Sequence, residues 1–308
     1  MLCRLAKFLI VAAGCLAGLP GIADTAPPMR FIYHSDHAPP PPGQQPSQRN
    51  QYTIEVLRTA LDRTRDAYGP YELRPSPAMH EKFRPAALEH GDEGINISAF
   101  PSKSGNSHKL VAVRIPIDRG LMGYRILTIR AADQPRFDAV HSLDDLKAFR
   151  FGLLGSWDDV GILQHDGLAI ETGTSMEGLL RMLEAKRFDA LNISVPPSVE
   201  LHDRTAAAFP GIAIETTLLL HYPMPVYFWF RDTEDGRRRA DRVRIGLESM
   251  VQDGTLKSLF HKWYGATLAR LEVDRRRVVE LPNPQLDPAD PIDRHALWYT
   301  PGESPSGL

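Results

Sequence analysis

The chain has 308 residues, 43% of them hydrophobic and 24% charged, with a formal net charge of −2. That is the composition of a soluble globular protein long enough for two ordinary domains, and it excludes a collagenous or disordered chain. With no basic excess, nucleic acid is not an expected partner.

Residues 1–23 stand apart. Arg4 and Lys7 precede the apolar run "FLIVAAGCLAGL", and "GIA" places small residues at −3 and −1 before Asp24. This is the pattern of a secretory signal peptide cleaved after Ala23, and it predicts export to the periplasm. The run is short for a membrane span, and no later run is long enough. A lipid-anchored start at Cys15 is the weaker reading, because Ala12 stands where a larger aliphatic residue is usual. Cys3 and Cys15 are the only cysteines, so the exported chain would have no disulfide and no thiol chemistry.

"MRFIYHS" (29–35) predicts a strand, followed by the proline-rich loop "DHAPPPPGQQPSQRN". Residues 52–69 carry Ile54, Val56, Leu57, Ala60 and Leu61 at helical spacing, closed by Gly69. "YELRPS" predicts a strand, "HEKFRPAALEHGD" a helix broken or bent at Pro85, and "EGINISAF" (93–100) the next strand. Two extended segments follow, "LVAVRIPIDRG" and "YRILTIRA". Ser142 caps a short helix with acids in its first turn. "RFGLLG" is a strand, Ser156 starts a helix, and "LAIETG" is a strand. Thr174 or Ser175 caps "MEGLLRMLEAKR", an apolar-faced helix whose end Lys186 and Arg187 complement. "FDALNIS" (188–194) is a strand, Pro196 and Pro197 open a helix, and "IAIETTLLL" and "VYFWF" are extended. Two C-terminal helices precede a tail rich in Pro and Asp. Strands alternating with helices predict open α/β sheets.

Catalytic motifs are weak. "GTSMEG" lacks nucleophile-elbow spacing, and "GLLGSWDDVG" lacks the lysine of a phosphate loop and the dinucleotide fingerprint. His34 and His37 have no further ligand pair near them in sequence, so solvated loop histidines are the favoured reading over a metal site. In open α/β sheets ligands bind beyond the carboxyl ends of strands. That rule singles out Tyr33 and His34, then Ser98 and Phe100, then Trp157, then Thr174 and Ser175 at a helix N-terminus, and Ser194. Each alone reads as a cap or loop residue. Together they outline the mouth of a cleft, with Phe100 and Trp157 as apolar walls and the hydroxyls as hydrogen-bonding groups.

Three segments carry a family likeness: "VRIPIDRGLMGYRILTIR" (113–130), "GLLRMLEAKRFDALNIS" (178–194) and "RRVVELPNPQLDPADPIDRHALWY" (276–299). With the element order, they make the chain resemble the extracellular solute-binding proteins of family 3, of the type II periplasmic binding fold. The resemblance implies two α/β lobes, with open sheets carrying helices on both faces, joined by two hinge crossovers. Lobe one would take residues 24–126 and 222–308, and lobe two 127–221. It implies a monomer without a cofactor that closes on a small-molecule ligand and meets a membrane permease or a membrane receptor.

The chain departs from the family's amino-acid-binding pattern at two places. "SKSGNSHKL" lacks the arginine that clamps a ligand carboxylate, and Ser194 stands where an aspartate takes the ligand's ammonium. The expectation is a ligand other than an ordinary free amino acid, with Lys103, His108 or Arg114 as a substitute cation. The rival is an enzyme of dehydratase or lyase type on this fold, for which Glu171 and His34 are the candidate acid–base groups.

Overall fold

A computed structural model of the chain describes residues 27–34, 47–77, 79, 83–91, 94–103 and 108–304. The signal-peptide segment with Cys3 and Cys15, His37, and most of the proline-rich loop lie outside the described residues. Among the described residues, no helix is long and apolar enough to cross a membrane.

The elements run β1 (Met29–Tyr33), α1 (Gln48–Asp62), α2 (Arg65–Tyr68), β2 (Tyr71–Pro75), α3 (Arg84–His90), β3 (Ser98–Pro101), β4 (Leu110–Val113) and β5 (Tyr124–Arg130). Next come α4 (Gln134–Asp138), α5 (Leu143–Leu146), β6 (Arg150–Leu154), α6 (Asp159–His165), β7 (Ala169–Gly173), α7 (Met176–Glu184), β8 (Ala190–Ser194) and α8 (Val195–Thr205). The chain finishes with β9 (Ile212–Ile214), β10 (Leu218–His221), β11 (Val226–Arg231), α9 (Glu234–Gln252), α10 (Thr255–Arg270) and β12 (Arg277–Glu280).

Three sheets form. β1 and β2 pair in parallel, and Tyr33 extends that sheet by a parallel bridge to Ile97. β11 lies antiparallel between β3 and β4. The largest sheet has the order β12-β10-β5-β8-β6-β7, with β9 also paired to β5. α9 packs on α1, β4 and β11, so the C-terminal helices return to the smaller sheets. The segment after them goes back to the large sheet, where β12 pairs with β10.

The chain passes between the small sheets and the large one at Gly123–Arg125 and again at His221–Met224. The two crossings lie side by side. His221 pairs with Tyr124, and Tyr222 N donates to Gly123 O at 3.2 Å. A Cβ on Gly123 would stand 2.1 Å from Tyr222 O, so only glycine permits this approach. Gly123→Ala must push the crossings apart, and we expect it to cost about 1–3 kcal/mol in a urea-unfolding measurement.

Local chemistry departs from the sequence expectations at several ends. Pro85 does not break a helix; it sits in the first turn of α3, where a missing N–H costs nothing. α6 begins at Asp159 with Asp158 as its N-cap residue, not at Ser156. Ser175, not Thr174, caps α7 by accepting from Gly178 N. α7 closes through a left-handed turn at Lys186 (φ 59°), and the cation that meets its free carbonyl is Arg130 of β5. Arg130 Nη1 lies 2.7 Å from both Leu183 O and Phe188 O. Lys186 and Arg187 themselves are exposed.

Candidate functional site

A cavity of about 530 Å³ opens beside the two crossings, within the size range of small-molecule sites. One side is built from the small sheets and α1: Tyr33, His34, Arg49, Tyr52, Ser98 and Phe100 face it. The other is built from the large sheet's turns and helix starts, with Trp157, Asp158, Asp159 and Ser194. Arg125 and Met224 come from the crossings themselves.

Six of the eight residues singled out by strand-end position therefore line one cavity: Tyr33, His34, Ser98, Phe100, Trp157 and Ser194. Thr174 and Ser175 do not line it. They follow β7, which is the edge strand one position beyond β6, so its carboxyl end lies off the cavity. Ser175 spends its hydroxyl on the α7 cap, 3.1 Å from Gly178 N.

The lining residues are positioned by their strands. Ser98 pairs with Trp229 and Phe100 with Tyr227 across β3–β11. The Phe100 ring stacks on Trp229 at 5.0 Å, tilted by 3°, which fixes it as a wall. Ser98 is buried, and its Oγ has no hydrogen-bond partner. Trp157 sits in the turn before α6, its N–H donating to Leu154 O, and its ring packs on both large apolar clusters. Ser194 ends β8 directly across from Arg125, and its side chain does not cap α8.

Among the three basic substitutes, only Lys103 lines the cavity, and its Nζ is 2.7 Å from Asp158. Arg114 is turned into Asp287 and Asp290 at 3.0 and 2.7 Å, and His108 is exposed. Glu171 is exposed on β7 and does not line the cavity, whereas His34, the other acid–base candidate, does. Among the described residues no set of three His, Cys, Asp or Glu side chains is grouped to hold a metal ion.

The most elaborate chemistry lies in residues the strand-end rule passed over. Arg125 is buried with Nη2 2.5 Å from Asp159 Oδ1. The Tyr222 hydroxyl donates to the same carboxylate oxygen and accepts from Asn192 Nδ2 at 3.1 Å. Burial drives the Tyr222 phenol well above its ordinary value, against the pull of Arg125, so it stays a neutral donor. Arg125 Nε and Asn192 Oδ1 are buried without partners. Asp118 lies on the turn between β4 and β5. Burial pushes its carboxyl up to about 6, partly offset by the backbone N–H groups of Met122 and Gly120. The sequence did carry a sign of the first group: Arg125 is a charge inside the apolar strand "YRILTIR", and Asp159 adjoins Trp157 at the same turn.

These carboxylates answer the argument built on Ser194. The site lacks an acid at that position, yet Asp118, Asp158 and Asp159 all line the cavity. The missing acid alone therefore does not set an amino acid aside.

No protein-family model matches the chain, and neither does any curated protein. Solved structures match it at the level of the fold. An ancestral arginine-binding protein bound to arginine gives a TM-score of 0.53 at 16% identity, over 78% of this chain and 100% of that one. An amino acid ABC transporter substrate-binding protein from Streptococcus pneumoniae Canada MDR_19A, bound to L-arginine, gives 0.52 at 15% identity, over 77% and 94%. A histidine kinase sensor domain with similarity to periplasmic binding proteins gives 0.52 at 14% identity, over 79% and 98%. The chain thus has the two-lobed α/β fold of the type II periplasmic binding proteins. The expected exclusion of amino acids finds no support among these neighbours, two of which hold arginine.

Proposed function

We propose that this chain is a periplasmic solute-binding protein. It captures a small polar metabolite by closing two lobes, residues 24–126 with 222–308 and residues 127–221, about the paired crossings. The observation that carries this reading is the cavity at those crossings, lined by both bodies of sheet and provided with buried charged groups. A hinge there moves the walls toward each other while the crossings absorb the change. The ligand selects the closed form by contacts that only that form completes. The closed lobes would then present the ligand to a membrane permease for uptake. The same closure suits a membrane receptor, and the sensor domain among the structural neighbours keeps that second reading in place.

The test is a thermal-shift screen of the purified protein against amino acids, carboxylates, polyamines, sugars and aromatic metabolites. A ligand present at 100 times its Kd adds about 2.7 kcal/mol of stability, and we expect one class to do so and to be recovered unchanged. Turnover of the ligand would establish the enzyme reading instead.

A further inference from the structure

Given the solute-binding reading above, closure needs a contact that forms and breaks between the two sides of the cavity. The start of α6 supplies one. α6 packs on β6 and β7 of the large sheet, and Asp158 and Asp159 at its start both line the cavity. Each acid is met by a cation from another part of the chain. Asp159 pairs with Arg125 of the first crossing at 2.5 Å, and Asp158 pairs with Lys103 at 2.7 Å. Lys103 follows β3 of the small sheets. Its neighbour Ser102 is buried and fixed there. The Ser102 N–H donates to Pro225 O at 2.8 Å, and the hydroxyl donates to Asp290 at 3.1 Å.

The two pairs differ in what water can do to them. The side chains of Arg125 and Asp159 are 4% and 8% exposed, so separating them leaves charge in the interior. Those of Lys103 and Asp158 are 43% and 37% exposed, so water receives both when the pair opens. The first pair is a fixed pivot beside the crossing, and the second can be released. Local structure turns Asp158 to this use. It occupies the N-cap position of α6, where a carboxylate ordinarily accepts a backbone N–H of its own helix. Here the side chain makes no such bond and reaches Lys103 instead. Its backbone oxygen accepts from Gln285 Nε2 of the C-terminal tail at 3.4 Å. The same residue is thus tied to the small sheets and to the tail.

We infer that Lys103 and Asp158 form a latch across the cavity that holds the two lobes closed before a ligand arrives, and that breaking this pair admits the ligand. The two residues line the cavity from opposite lobes, and while they are paired neither charge is offered to a ligand. Lys103 is therefore the counter-charge of an acid on the far lobe. An exposed ion pair shifts the ratio of closed to open molecules by about two- to fivefold. That is enough to decide which form prevails when the two lie close in free energy, and too little to keep a ligand out.

Single-molecule fluorescence transfer in the purified protein tests this without a ligand. Cys3→Ser and Cys15→Ser remove any native thiol, and Arg238→Cys and Glu184→Cys carry the dyes on exposed positions of α9 and α7. Against this background, Lys103→Met and Asp158→Asn each lower the closed-to-open ratio by about two- to fivefold. The double variant lowers it no further than either alone, because both substitutions remove one contact. Salt at about 1 M, where the Debye length falls to about 3 Å, lowers the ratio of the parent by a similar factor and leaves the variants unchanged. A thermal transition matching the parent's checks that the variants fold, and if they do not, the salt titration of the parent carries the test. A transfer efficiency that ignores both substitutions and salt overturns the latch. So does a double variant that shows the product of the two single effects. The solute-binding reading is decided separately. It stands if a ligand raises the closed fraction of a protein that ignores Lys103, and it falls if no ligand class stabilises the protein, whatever the variants show.

Discussion

Arg125→Met lowers the stability of the protein by about 3–5 kcal/mol, the cost of breaking a buried ion pair from one side. The reason lies in what is left behind. Asp159 is buried, and its other partner is the Tyr222 hydroxyl, a neutral group. Without the guanidinium 2.5 Å away, the carboxylate must hold its charge in the interior or take up a proton. The loss spreads, because the guanidinium also lies over the Tyr222 ring at 5.0 Å. That network ties β5 and the second crossing to α6 and β8. Urea unfolding at neutral pH reads the loss. The double variant Arg125→Met with Asp159→Leu recovers most of it, since an apolar pair of similar volume replaces a buried ion pair at little cost. We expect ligand affinity not to recover, because Arg125 lines the cavity. A single variant within 1 kcal/mol of the parent would mean that solvent reaches Asp159 freely.

The fold was legible where the signal was periodic. The apolar face Leu179, Leu180 and Leu183 of α7 and the buried strand Ala190–Ser194 lie where spacing put them. Helix starts were less legible: Ser156 is a good cap in sequence, yet α6 starts at Asp159 after Asp158, whose side chain makes no capping hydrogen bond and meets Lys103 instead. At the site, six of the eight residues that strand-end logic chose line the cavity, and Thr174 and Ser175 do not. It assumes that every strand end borders the cleft, and β7 is an edge strand whose end lies off the cavity. Arg125, Asp159, Tyr222 and Asn192 come from four separate segments, and no local pattern announces that they meet. Arg49 and Tyr52 were hidden for other reasons. Arg49 was read as the end of the proline-rich loop and falls instead in the first turn of α1, while Tyr52 lies on a helix whose apolar periodicity says only which face is buried, not that part of it borders a cavity.

Ending the chain after Leu281 abolishes cooperative folding, and the residues lost show why. Leu297 and Tyr299 are buried, each worth about 1.5–3 kcal/mol. Glu303 answers Arg119, whose side chain is buried, so its removal strands a cation in the interior. Trp298 covers Gly120, where a Cβ would stand 2.5 Å from the indole. Together these losses are on the order of the whole stability of a small protein, and circular dichroism will show no sharp thermal transition. The tail also bears on the proposed closure, because it touches both sides of the crossings. Asp287 and Asp290 hold Arg114 beside the small sheets, and Asp290 accepts from Ser102 at 3.1 Å. Asn283 donates to Pro223 O at the second crossing, and Gln285 reaches Asp158 O at 3.4 Å and lies against Gly161 of α6. Gln285→Ala removes the link to the far side and leaves the buried anchors in place, so the protein still folds. If the tail helps hold the lobes together, that variant favours the open form. Small-angle scattering then finds a larger radius of gyration, and ligand affinity falls by about fivefold for each 1 kcal/mol of closure lost. An unchanged radius with unchanged affinity would mean that the tail stabilises the fold and leaves the hinge alone.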